Sequence, residues 1–272
     1  MARNLDGLDD KIDCGTGTSI NNLTVFTAWA WFRYGGIPSV STNHYILSKN
    51  GVDRIYLFMQ DGATDPNQVL AYVERATDPT FYRSSDNSFA DNTPTFVAAT
   101  FDDSRGDGAR IDLFVGTTPQ NLAEVTYKAK NEGSGAINDD SAGNLIIGSR
   151  TTDDNRVMKG DLANVGLIGS ILSLNELKGL MVKTAPTQVV AGFWPLWGLS
   201  SPEPDLSGNR NDGTVTGAVR SNHPPITLFT PKWAATMPWI SPTDFAEQNK
   251  RRSAFSPLPL LVLPPVPDGV ID

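Results

Sequence analysis

Among the side chains of this 272-residue chain that could do chemistry, the carboxylates come first. Hydrolysis of a glycan needs two of them flanking the scissile bond, one kept protonated as acid and one charged as nucleophile or base. The glutamates Glu74, Glu124, Glu132, Glu176, Glu203 and Glu247 are scattered, with no closely spaced pair among them. His44 and His223 offer a base for a Ser-His-Asp site, but no nucleophile-elbow sequence accompanies either, and both read as surface or loop residues. No Gly-x-x-x-x-Gly-Lys phosphate loop occurs. The sequence therefore predicts a protein without catalytic activity. Cys14 is the sole cysteine, which rules out an internal disulfide and a thiol-rich metal site, and it reads as a small buried hydrophobe.

Ligand chemistry has more candidates. Asp102, Asp103 and Asp107, and then Asp139 and Asp140, cluster in turns and offer the oxygen ligands that calcium prefers. Aspartate is favoured in turns without any ion, so no cofactor is expected and calcium stays open as an alternative. Tyr45, Tyr82 and Trp31 are aromatic enough to stack on a pyranose face, although aromatic residues in strands pack against their neighbours in most settings, and that reading is preferred. Arg105-Gly106-Asp107 spells an integrin-recognition tripeptide but reads as a hairpin tip. The triplet Lys250-Arg251-Arg252 could face an acidic partner, and more often such a triplet is solvated. A formal net charge of -8 argues against a nucleic-acid partner, which requires a basic stripe to displace counterions. No stretch is long and apolar enough to span a bilayer, and no basic-then-apolar leader opens the sequence, so synthesis in a cytoplasm and no membrane partner are expected.

These residues hang on a repeated theme. Between residues 24 and about 170, runs of β-branched and aromatic residues alternate with clusters of Gly, Asn, Asp and Ser, the spacing of a sandwich or barrel. The predicted strands are TVFTAWAWFR, YILSK, RIYLFMQ, VLAYVER, TFVAATFD, RIDLFVGT, NLIIGSR and DLANVGLIG. In the first, Phe26, Ala28, Ala30 and Phe32 share one face and Val25, Thr27, Trp29 and Trp31 the other. Neither face is plainly polar, which predicts a central strand covered on both sides. One helix is expected at SLNELKGLM, where Ser173 and Glu176 have capping-box spacing, placed as a plug at one end of the sandwich. Beyond residue 220 the texture changes to prolines and large apolar side chains. Proline denies a ladder its donors, so residues 220–272 are expected to form an extended arm. Its Trp233, Trp239, Phe245, Phe255, Leu260, Leu261 and Leu263 form an apolar set that a solvated tail seldom carries, and they are the expected partner-binding residues.

The order LDGLDDKIDCG, TVFTAWAWFR, ILSKNG, FVAATFDDS, IDLFVGT, LIIGSR and GDLANVGLIGSILSLNELKGL resembles a laminin-G-like module of the concanavalin A-like superfamily, over roughly residues 4–219. The resemblance implies an all-β, two-sheet antiparallel jelly-roll sandwich at 1–219, followed by the proline-rich arm. It also implies glycan binding by the sheet surface or rim loops, and a calcium at the rim in many members. The Glu-x-Asp-x-Glu strand of the hydrolytic branch is absent. One departure stands out: the segment FWPLWGLSSPEPDLSGNRNDG resembles one that opens the module in the family, and here it follows the closing helix. The order is circularly shifted, so residues 192–219 are expected to supply strands to the same sandwich. The late turn and proline-rich tail further resemble virion proteins of tailed bacteriophages. That resemblance implies a virion location, a capsid-decoration or cement role, neighbouring virion subunits such as the major capsid protein and a homo-oligomer as partners, and, as the alternative, attachment to host-surface glycans.

Overall fold

The computed structural model describes residues 2–36, 43–49, 55–60, 66–106, 108–150, 156–182, 186, 188–199 and 201–222. The apolar set from Trp233 to Leu263, His223 and the Lys250-Arg251-Arg252 triplet lie outside the described residues. In chain order the strands are β1 (Ala2–Asp6), β2 (Lys11–Asp13), β3 (Val25–Tyr34), β4 (Asn43–Lys49), β5 (Ile55–Gln60), β6 (Gln68–Val73), β7 (Thr80–Ser84) and β8 (Thr95–Asp102). They continue with β9 (Ile111–Gly116), β10 (Ala123–Glu124), β11 (Tyr127–Asn131), β12 (Leu145–Ile147) and β13 (Lys159–Ile168). Helix α1 (Leu174–Val182) follows, then β14 (Gly192–Trp194), β15 (Thr214–Thr216) and β16 (Val219–Ser221).

Two antiparallel sheets result. The first runs β10-β9-β8-β3-β13-β1-β16 with β14 also on β13, and the second runs β11-β7-β6-β5-β4-β12-β2-β15. Each of the eight runs predicted from sequence contains a strand, and the architecture is the expected all-β jelly-roll sandwich. Between the sheets lies a core that includes Phe26, Ala28, Ala30 and Phe32 of β3, Ile46 and Leu47 of β4, Leu57 and Met59 of β5, and Leu162 and Val165 of β13.

Strand β3 is covered on both sides, as its two apolar faces predict. Its other face carries Trp29 and Trp31 into a second cluster with Phe96, Ile168, Leu177, Leu180, Met181 and Phe193. Three of those residues, Leu177, Leu180 and Met181, belong to α1. The helix therefore packs on the outer face of the first sheet and does not plug one end of the sandwich. The reason is the pair of tryptophans, whose large apolar surface on that face needs a cover. Ser173 and Glu176 form the expected capping box: the Ser173 amide and hydroxyl both donate to Glu176 Oε2 at 2.8 Å. Trp29 also dictates a glycine on the neighbouring strand, since a Cβ at Gly166 would come within 2.0 Å of its ring. The β3–β13 register shifts between Ala163 and Gly166, with Asn164 held at φ 48°.

The circularly shifted segment enters both sheets. Strand β14 pairs with Val165–Leu167 of β13, on the edge that β1 occupies farther along at Lys159–Leu162, so the two lie end to end against one strand. Strand β15 pairs with β2 in the second sheet, and β16, which begins at residue 219, pairs with β1 in the first. Trp194 is fully buried in the central core and donates its indole N–H to Asn211 O at 2.7 Å. A chain ending at residue 190 would leave one edge of β1, one edge of β2 and half an edge of β13 unpaired and the core open. We expect it to lose its cooperative thermal transition, which circular dichroism would record, while a chain ending at residue 222 retains it.

Candidate functional site

The side chains singled out from sequence mostly turn out to hold the fold. Tyr45, Tyr82 and Trp31 are all buried, so none presents a free face to a sugar. Tyr45 stacks on Phe58 with ring centroids 4.9 Å apart, and Trp31 meets Phe96 edge-on at 5.6 Å. The Tyr82 hydroxyl donates to Glu132 from inside the sandwich, and burial, followed by that carboxylate, raises its pKa. His44 was expected at the surface and is instead fully buried. Its place in β4 beside Tyr34, with Nδ1 3.2 Å from Val157 O, explains why.

The described glutamates are likewise tied to structural tasks. Glu74 accepts from Tyr72 and Glu124 from Tyr127, Glu132 from Tyr82, and Glu176 caps α1. The acidic turns behave in the same way. Asp102 accepts from the Ser104 hydroxyl at 2.6 Å and amide at 2.9 Å, and these bonds, the hydroxyl first, hold its carboxyl below the usual range. Asp103 pairs with Arg75, and Asp139 and Asp140 both accept from Asn22. Arg105 is held by Asp112 at 2.7 Å, and Asp107 lies outside the described residues. A cluster not anticipated from sequence gathers Asp6, Asp9 and Asp10, each with a carboxylate oxygen within 4.8 Å of the others. Hydrogen bonds account for part of it as a turn: Asp6 N donates to Asp10 Oδ2, and Leu8 N to Asp6 Oδ1, each at 2.8 Å. Burial, against the pull of the Asp6 amide and with Asp6 and Asp9 adding to it, raises the Asp10 pKa.

The turn Asp205-Leu206-Ser207-Gly208-Asn209-Arg210-Asn211-Asp212-Gly213 is built around one buried carboxylate. Asp205 accepts from the amides of Phe193 and Asn211 at 3.0 Å and of Ser207 at 2.9 Å, and from the Ser207 hydroxyl at 2.7 Å. Asn211 then reaches across to Ser19 Oγ at 3.0 Å, fastening the turn to the start of the chain. Seven residues upstream of Asn209, Pro202 precedes a second anchor, Glu203, which is buried and receives Arg3 Nε at 2.6 Å and the Gly198 amide at 2.7 Å.

Where this turn meets β2 it leaves a groove of about 560 Å³, lined by Lys11, Asp13, Thr16, Arg210, Asn211, Asp212, Thr214 and Thr216 with Cys14, Gly15 and Gly17. The antiparallel register sets Lys11 opposite Thr216 and Asp13 opposite Thr214, so these four share the outward face of the strand pair while Ile12 points to the core. Most of the lining residues carry polar side chains, their stems and the glycines adding apolar surface of comparable extent, and the groove's size suits a mono- or oligosaccharide unit. Cys14 sits behind it without being a nucleophile, because burial first, then Asp13, Asp205 and Asp212, raises its pKa well above that of an ordinary thiol. Sequence reasoning missed the groove because its two walls lie some two hundred residues apart. The signal present was the alternation Lys11-x-Asp13 and Thr214-x-Thr216 beside a turn rich in Asp and Asn.

No family model matches the chain, and neither does any curated protein. Solved structures do. A protein of Bacteroides ovatus to which carbohydrate binding is attributed superposes with a TM-score of 0.59 at 18% identity, over 83% of this chain and 61% of its own. The chain thus spans less than two thirds of that protein. Mouse laminin alpha1 chain domains match with a TM-score of 0.43 at 16% identity, over 61% of this chain and 40% of theirs. Tailspike protein 2 of an Escherichia coli O157:H7 bacteriophage matches with 0.47 at 12% identity, over 71% of this chain and 26% of its own. The sheet order and the first of these superpositions show the fold to be a two-sheet antiparallel jelly roll, which is the fold that the laminin-G-like resemblance implied.

Two outcomes follow from the anchors. Arg3→Ala leaves the buried Glu203 carboxylate without its cation and should lower stability by about 3 kcal/mol in urea denaturation. Cys14 should resist a disulfide reagent at pH 8 in the native protein and react once denaturant is added.

Proposed function

We propose that this chain is a non-catalytic, lectin-like module of a virus particle, which offers the β2–β15 groove to a glycan. The observation that carries the reading is the groove itself: a concave, polar surface on paired strands of a jelly roll, rich in the hydroxyl, amide and charged groups that bond sugar hydroxyls. The fold is compatible with that role, being shared with a Bacteroides ovatus protein to which carbohydrate binding is attributed. The absence of catalysis is supported by the described glutamates, each engaged by a structural donor, so that no pair among them is placed to serve as free acid and base.

The virion setting rests on the resemblance of the late turn and proline-rich tail to tailed-phage proteins. A capsid-decoration role is the second reading, favoured by the composition of residues 220–272, whose aromatic and leucine side chains suit burial against neighbouring subunits. The two readings are compatible, with the groove recognising and the arm holding.

A glycan array followed by calorimetric titration tests the first reading. The expected result is saturable binding without release of product, weakened at least about tenfold by Thr214→Leu with Thr216→Leu, two exposed positions whose change should leave the melting temperature unaltered. A blank array, or cleavage of a bound glycan that one carboxylate substitution abolishes, would refute it. For the second reading, a chain ending at residue 222 should keep glycan binding and lose attachment to the particle.

A further inference from the structure

We infer that the ligand of the β2–β15 groove is an anionic saccharide whose carboxylate or phosphate is held between Lys11 and Arg210. The inference rests on the glycan-binding reading and narrows it to one class of sugar. Four charged side chains line the groove, and they are not equivalent. The Asp13 carboxylate is already supplied with donors: Oδ1 accepts from Gly15 N at 2.9 Å and Asn144 Nδ2 at 3.0 Å, and Oδ2 from the same amide at 2.9 Å. Asp212 Oδ1 accepts the Asp205 amide at 2.8 Å. The Lys11 and Arg210 side chains make neither an ion pair nor a hydrogen bond with any described residue. The groove's formal charges therefore balance, two cations against two carboxylates, but the hydrogen-bonding capacity left for a ligand lies in the donors of Lys11 and Arg210 and the hydroxyls of Thr16, Thr214 and Thr216.

Backbone geometry adds an independent observation. Arg210 sits at φ 63°, in the left-handed region that disfavours a side chain of its size and suits glycine. The turn enforces that conformation through the Asn211 amide bonded to Asp205 Oδ2, so a long cationic side chain is kept where glycine would be easier. Retained strain of this kind accompanies sites where the side chain itself is needed. The chain's net charge of -8 opposes unspecific capture of anions, which makes these two cations a local feature against an acidic background.

The test uses the full chain and two matched pairs of sugars: trigalacturonate against its methyl ester, and glucose 6-phosphate against glucose, titrated calorimetrically at low salt. At least one acidic member should bind at least about tenfold more tightly than its neutral partner, and Arg210→Gly should weaken that binding roughly ten- to hundredfold. Because glycine relieves the strain at that position, the same variant should melt within a few degrees of the parent, about the shift of a small stability change. Lys11→Met should weaken the acidic sugar and spare its neutral partner. Preference for neither acidic sugar overturns the inference, and if the glycan array has shown neutral sugars bound, the glycan-binding reading survives it. Inorganic phosphate binding as tightly as glucose 6-phosphate would overturn the saccharide part. A blank array together with no binding here sinks both.

Discussion

Arg3 and Glu203 lie two hundred positions apart and are joined in a buried ion pair at 2.6 Å, and the closed sandwich depends on that contact. Removing two charges from water is expensive, and their attraction offsets the cost only when the remaining hydrogen-bonding positions are filled. Here they are. Glu203 also takes the amides of Trp197 and Gly198, Arg3 donates to Ala218 O at 2.9 Å, and Glu203 exchanges backbone bonds with Gly213 at 2.8 Å. The pair thereby clamps β1 to the turn before β15 and the bend before β16. The middle and the end of the shifted segment meet the N-terminal strand at one point.

That clamp explains how a jelly roll tolerates the altered order. A strand in a sheet is stabilised by the ladder beside it and by the core beneath it, neither of which records the direction from which the chain arrived. Strand β14 needs only the outer edge of β13 beyond β1, and β15 and β16 need only the free edges of β2 and β1. Trp194 and Leu196 then fill the central core from this late segment. Asp205 spends its carboxylate on the turn, an arrangement that favours a single conformation because each buried donor has an acceptor.

Much of the fold was legible because it was written in local patterns. The two apolar faces of β3 announced a strand covered on both sides, and the spacing of Ser173 and Glu176 announced the start of α1. The helix position was not legible, since it is set by Trp29 and Trp31 acting across the sheet and not by anything near residue 174. The aromatic residues Tyr45, Tyr82 and Trp31 were readable as packing. The groove was not readable from either strand alone, because Lys11 and Thr216 become neighbours only through the β2–β15 register. His44 fell to the same limit: a polar residue in a strand gives no sign of its burial until its partners Tyr34 and Val157 are in place.

The shifted order also fixes which sheet carries the last described strand and which carries the groove. Strand β16 lies in the first sheet at its β1 edge, whereas the groove belongs to the β2–β15 edge of the second. Residues 217 and 218 between β15 and β16 make the crossing, with Gly217 at φ 70° and Ala218 buried. Its tightness has a local cause, since a Cβ at Gly217 would fall 1.7 Å from Asp10 Oδ1. The described chain therefore ends on a different sheet from the one that lines the groove. Had the segment opened the chain, as it does in the family that the sequence resembles, Ser221 would not be in the last described strand. Placing it last puts the final described strand on the first sheet and the groove on the second, so the shifted order separates them by the one crossing at residues 217 and 218.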